Sequence, residues 1–260
     1  MTSSLAQRVI DLNNEAIAAS LKDMRQDAVL TLQRALATLL TFQEAPSTTT
    51  TTAPKVAGNA SQDIELTSSY SVPLSRTHCS KHLDDVFTFY NRAITIPTPA
   101  PQDEDMDQDD DEVACQLLSS CPKYRTRMQA TLLYNLGITC HMEGVASGNS
   151  AAFGNALQFY GAAYQVLENA SRTQGFPEDD SILLVLALFN NMGHIHSSFL
   201  VDSDKTRQCV SWIQSAFATP QVQQGLALDA EDYAFFCQYV SVPAKRQLLL
   251  SPAAWNYIYI

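Results

Sequence analysis

Leu133-Tyr134-Asn135-Leu136-Gly137 decides the reading of the fold, because its pattern returns as Leu12-Asn13-Asn14-Glu15-Ala16 and as Phe189-Asn190-Asn191-Met192-Gly193. Each copy lies in a stretch whose apolar residues recur at three- and four-residue spacing, the signature of one helical face. Each is followed by a second helical stretch carrying a triplet at the same spacing: Ala28/Leu32/Ala35, Ala156/Tyr160/Ala163 and Cys209/Ile213/Ala216. A small residue late in the first helix (Ala16, Gly137, Gly193) and small residues flanking a larger one in the second let two helices approach closely. Three such units predict an all-α fold made by stacking helical hairpins.

Composition narrows the function. The 260 residues can bury a substantial core. A formal net charge of -11, from 16 Lys and Arg against 27 Asp and Glu, argues against binding nucleic acid, which takes clustered cations. It equally disfavours anionic membrane surfaces. No stretch of about 18 apolar residues exists to span a bilayer, and the N-terminus carries no signal peptide pattern. The cysteines form no CxxC pair. Cytosol or nucleus is the expected compartment, and the sequons at Asn59 and Asn169 are not expected to be glycosylated.

Along the chain, about 5–42 reads as the first hairpin, about 124–170 as the second and about 179–218 as the third, with a capping helix at about 230–241. In the second hairpin, the first helix is expected over Tyr124 to His141 and its partner from about Asn155. Gly144, Gly148 and Gly154 suggest an enlarged turn between them. The Thr-rich stretch at about 46–63 and the acidic run at about 99–112 are expected to be disordered, since neither can bury enough apolar surface. Limited proteolysis should cut both before it touches the helices. The acidic run has no turning Gly and does not fit a calcium loop. Between these segments lies a connector: Tyr70 to Leu74 is a brief extended run, Phe87 and Phe89 alternate as in a strand, and Pro97, Pro99 and Pro101 end any element there. Helix and strand both remain open for His82 to Tyr90.

Leu133-x-x-Leu136-Gly137-x-x-Cys140 with its Ala156/Tyr160/Ala163 triplet resembles the tetratricopeptide (TPR) repeat. Phe189-x-x-Met192-Gly193-x-x-His196 and Leu12-x-x-x-Ala16-x-x-Ala19, with their own triplets, resemble it again. The phrases around Tyr90-Asn91-Arg92-Ala93, Leu133 to Gly137 and Phe189 to His194 also look like a group of TPR-like proteins abundant in diatoms. The resemblance implies an α-solenoid with a concave groove lined by first helices, and hence a non-catalytic scaffold for a peptide or protein. The groove positions it implies are Asn13, Ile17 and Ser20, then Tyr134, Ile138 and His141, then Asn190, His194 and Ser197. Asn14, Asn135 and Asn191, one place further on, are expected to bond neighbouring helices. The groove carries no Lys or Arg, so it suits a neutral or mildly basic amphipathic segment better than an acidic one. Gly137 is expected against Ala156 and Ala163, and Gly193 against Ala216.

Other chemistry has little support. No G-x-G-x-x-G, Walker A, H-E-x-x-H or G-x-S-x-G element is present. His194 and His196 diverge by roughly 200° on a helix, a poor metal pair, and His196 takes a packing position. His78, Cys79 and His82 make the better candidate for a metal-dependent regulator or enzyme, against the plain reading of a solvated loop. No cofactor and no small-molecule ligand is expected. A divergent structural member without a specific ligand is the third alternative.

Overall fold

The computed structural model describes residues 5–44, 70–74, 86–96, 121–174, 181–223 and 228–237. The segments at 46–63 and 99–112, His78, Cys79 and His82, and the chain after Cys237 all lie outside the described residues. The described chain is mainly helical. In order it forms α1 (Leu5–Leu21), α2 (Arg25–Glu44), β1 (Ser71–Pro73), β2 (Arg92–Ile94), α3 (Pro122–Ser147), α4 (Ser150–Gln174), α5 (Ile182–Ser198), α6 (Ser203–Phe217), α7 (Pro220–Gln223) and α8 (Ala230–Cys237). Consecutive helices pack as the pairs α1–α2, α3–α4 and α5–α6, while α2 meets α3 and α4 meets α5.

The local chemistry accounts for these elements. Helix α1 buries Ala6, Val9, Ile10, Asn13, Ala16, Ile17 and Ser20, a stripe at three- and four-residue spacing. Its turn into α2 has no glycine; Asp23 instead takes the left-handed conformation at φ 61, which a short polar side chain tolerates. The Met24 amide then donates to the Ala19 carbonyl (2.9 Å) and closes the helix end. Helix α3 starts on Pro122 and is buried on nearly every side, as a central helix must be. Helix α6 is capped by Asp202, whose carboxylate accepts from the Lys205 amide at 3.0 Å.

The enlarged turn expected over 144–154 is corrected to two residues, Gly148 and Asn149. Gly148 sits at φ 67 and the Asn149 side chain accepts from the Ala151 amide at 3.0 Å. Gly144 lies inside α3 for a different reason: a Cβ there would stand 2.6 Å from the Phe153 ring. The glycine marks a packed aromatic ring rather than a turn.

At two expected contacts the missing Cβ leaves room for an aromatic ring. A Cβ on Gly137 would meet the Tyr160 ring at 2.5 Å, so the glycine accommodates the large middle member of the triplet, with Ala156 and Ala163 buried on either side. Gly193 faces the Phe87 ring, too close for any Cβ, rather than Ala216. Replacing Gly137 with Leu is expected to cost about 1–3 kcal/mol by overpacking against the fully buried Tyr160. A melting temperature unchanged by that substitution would show that the ring can move aside.

Strands β1 and β2 pair antiparallel, Ser71 opposite Ile94, Val72 opposite Ala93 and Pro73 opposite Arg92. Residues 86–96 form one extended stretch that includes β2, and Phe87, Phe89, Tyr90, Ala93, Ile94 and Ile96 are all buried in it. The stretch crosses the first helix of each pair in reverse order, from α5 to α3, and ends with Ile96 in the cluster that α1 and α2 form with the start of α3.

Candidate functional site

The site is the face of α1, α3 and α5 on which residues 86–96 lie. An extended strand sends its main-chain groups alternately to two edges. Here one edge belongs to β1: the Asn91 carbonyl accepts from the Leu74 amide and the Thr95 amide donates to the Tyr70 carbonyl, both at 3.0 Å. The other edge belongs to the helices, and it holds Thr88, Tyr90, Arg92 and Ile94.

Two asparagines dominate that edge. A carboxamide carries one acceptor and two donor hydrogens, so it can hold both the N–H and the C=O of one residue. Asn191 of α5 accepts from the Tyr90 amide (3.0 Å) and donates to the Tyr90 carbonyl (3.1 Å). Asn135 of α3 does the same for Ile94, at 3.0 and 2.8 Å. Asn190 donates to the Thr88 carbonyl (2.9 Å) and the Tyr134 hydroxyl to the Arg92 carbonyl (2.9 Å). The two clamps take residues four apart because Asn135 and Asn191 stand at the same place in their helical pairs.

Side chains complete the seat. Phe87 packs on Gly193. Phe89 covers two imidazoles, its ring centroid 4.0 Å from His141 and 5.5 Å from His194. Below it His141 Nε2 and His194 Nδ1 lie 3.0 Å apart, and His141 Nδ1 lies 3.3 Å from the Tyr160 hydroxyl. Burial lowers the pKa of both histidines: His141, which also feels His194, falls well below its ordinary value and His194 to about 4. The pair is therefore neutral near pH 7, with one ring nitrogen donating to the other.

At the other side Tyr90 donates its hydroxyl to Asp232 of α8 at 2.6 Å, and the Ser71 hydroxyl donates to the same carboxylate at 2.9 Å. Arg92 reaches Asp232 at 3.4 Å and Glu231 at 2.9 Å. Asp232 is only 1% exposed. Burial raises its pKa, against the hydrogen bonds from Tyr90 and Ser71 and the charge of Arg92. Burial also raises the Tyr90, Tyr134 and Tyr160 hydroxyls, so all three stay protonated and able to donate. This network ties α8 to the β hairpin.

Of the nine groove positions named from sequence, Tyr134, His141, Asn190 and His194 touch the chain's own segment directly. Asn13, Ile17, Ser20, Tyr134, Ile138, His141, Asn190 and His194 are buried, and Ser197 is half-buried with its hydroxyl on the His194 carbonyl. The groove that the resemblance implies is occupied by the chain itself for a physical reason: the aromatic and β-branched residues of 86–96 need cover, and the glycines and apolar positions of the first helices supply it. Asn135 and Asn191 do bond neighbouring helices, through Asn13 and through the Tyr134 and Tyr160 hydroxyls. Their main-chain clamps, and the part played by Asp232, are what sequence reasoning missed. The visible signal was one asparagine repeated at one place in two helical pairs, beside a strand-like alternation in the connector. Asn14, at the matching place in α1, is exposed.

Among the described residues no group of three or more His, Cys, Asp or Glu could hold a metal ion. His196 is buried, with Nδ1 unpartnered, and does not join the His141–His194 pair. Burial raises Cys140 to about 11 and Cys209 to about 12, which leaves both thiols poor nucleophiles. No helix among the described residues is long and apolar enough to cross a membrane. Comparison of the chain with protein-family models, with curated proteins and with solved structures finds no match.

Proposed function

We propose that the chain is a TPR-like scaffold that works in the cytoplasm or nucleus by binding protein rather than by catalysis, with its first-helix face built to hold an extended peptide. One observation carries this reading: Asn191 and Asn135 each hold both main-chain groups of a single extended residue, Tyr90 and Ile94. Clamping of this kind reads the backbone and tolerates changes of side chain, as grooves for extended peptides require. In the present state residues 86–96 take the peptide's place, so a partner segment has to displace them. The partner that fits is an extended, neutral or mildly basic segment with aromatic residues at alternate positions, matching Phe87 and Phe89. The metal-dependent alternative on His78, Cys79 and His82 would be supported by stoichiometric metal in the purified protein, lost on His82→Ala.

A second reading has its own support. Phe87 and Tyr90 are 0% exposed, which suits a permanent core segment as well as a displaceable one. Amide exchange of Tyr90 and Ile94 in the full chain separates the two. Displacement predicts exchange through a local opening that is insensitive to low denaturant, together with binding of a synthetic 86–96 peptide. Exchange only by global unfolding, with no binding of the peptide, would overturn the scaffold reading of this face.

A further inference from the structure

The α1–α2 hairpin packs on α3 with one side and turns the other outward. That outward side is a groove of about 770 Å³ between the two helices. Leu30 and Met24 line it at 59% and 47% exposure, and Ala18 and Ala37 leave room for a partner side chain. Four charges surround this apolar strip: Glu15 and Lys22 on the α1 side, Asp27 and Arg34 on α2. All four are exposed, and among the described residues none makes an ion pair.

Their arrangement is a checkerboard. In each arm of the hairpin the acid precedes the base by seven residues, roughly 10 Å along the arm, with Lys22 just past the end of α1. Because the helices run antiparallel, Lys22 and Asp27 sit together near the turn, and Glu15 and Arg34 sit together away from it. Two acids and two bases cancel, so this face is locally neutral on a chain of net charge -11. Two chains of like net charge repel at long range, and the charges of this face add nothing to that repulsion.

We infer that this face is a self-association surface for a second copy of the chain, docked about a two-fold axis lying in the interface. A two-fold interface brings each patch onto itself, so it must be complementary to itself. With the axis along the helices, α1 faces the partner's α2, and Glu15 meets Arg34 while Lys22 meets Asp27. With the axis across the helices, each helix faces its own copy, and Glu15 meets Lys22 while Asp27 meets Arg34. Both placements match every charge with its opposite; the first closes Leu30 over the partner's α1 near Ala18, and the second closes it against its own copy. The inference is independent of what the Asn-lined face binds.

Sedimentation velocity on the full chain tests it. The expected result is a monomer–dimer equilibrium with a dissociation constant on the order of 10–100 µM. Leu30→Lys and Arg34→Glu, both at exposed positions, should each leave the melting temperature unchanged and the chain monomeric. The double change Glu15→Arg/Arg34→Glu should restore the dimer if the axis runs along the helices, and Asp27→Arg/Arg34→Asp if it runs across them. A wild-type chain that stays monomeric well above that range would overturn the inference. So would a dimer indifferent to Leu30→Lys, or the failure of both charge exchanges to restore association.

Discussion

Replacing Asn191 with Leu is expected to destabilise the protein by about 2–6 kcal/mol, because two buried main-chain groups lose their partner at one stroke and each such orphan costs about 1–3 kcal/mol. Tyr90 is 0% exposed, so water cannot take over from the lost carboxamide. Leucine has the branching and heavy-atom count of asparagine, so it leaves no cavity, and the overpacking from its bulkier methyl groups is shared by a control at the equally buried neighbour. The neighbouring change Asn190→Leu is the control. Asn190 supplies only one donor to the connector, to the Thr88 carbonyl, and Thr88 is half-buried. Its loss should cost about one orphaned group or less. Urea denaturation of the two variants gives the comparison directly, through the shift in midpoint at constant slope. Equal destabilisation would mean that the double clamp adds nothing to a single bond. The extended segment would then be held by its aromatic side chains alone.

The helical part of this architecture was legible in the sequence because its causes are local. The spacing of Ala28/Leu32/Ala35 and its counterparts reports a buried face whatever covers that face, and the structure buries Ala28, Leu32, Ala35, Ala156, Tyr160, Ala163, Cys209 and Ile213. Ala216 is only partly buried. What periodicity does not report is the identity of the neighbour. Gly193 reads as a helix–helix contact, yet its missing Cβ admits Phe87 from a segment more than a hundred residues earlier. Gly144 reads as part of a turn, yet it accommodates Phe153. The candidate site was misread for a related reason. Asn13, Asn190 and His194 look like solvated groove residues because polar side chains usually face water. Here they are buried beside other polar atoms: Asn13 under Asn135, Asn190 under the Thr88 carbonyl, His194 against His141. Such pairings join residues far apart in sequence, and no local pattern encodes them.

Acid should loosen the same seat, and its direction follows from the histidine pair. In the unfolded chain each imidazole binds a proton near pH 6.5; in the fold His194 does so only near pH 4, and His141 well below its ordinary value. Between those limits the unfolded state carries more bound protons than the native state. Stability is therefore full above about pH 6.5 and falls as the pH drops towards 4. For His194 alone the shift from 6.5 to about 4 corresponds to about 3 kcal/mol lost by pH 4, and His141 adds loss of the same sign. A second proton on the pair would set N–H against N–H across 3.0 Å, directly beneath the Phe89 ring. The titratable group touching the pair is the Tyr160 hydroxyl, which stays protonated throughout this range. His196, also lowered by burial, contributes in the same direction, whereas the raised Asp232 opposes it. A variant removes these shared contributions by difference. His194→Gln keeps an amide beside His141 but cannot take a proton. Its melting temperature should fall by clearly less than that of the wild type between about pH 7 and about pH 4.5. Identical pH dependence in the two proteins would show that the histidine pair is not what the fold loses to acid. The site of acid opening would then have to be sought away from Phe89.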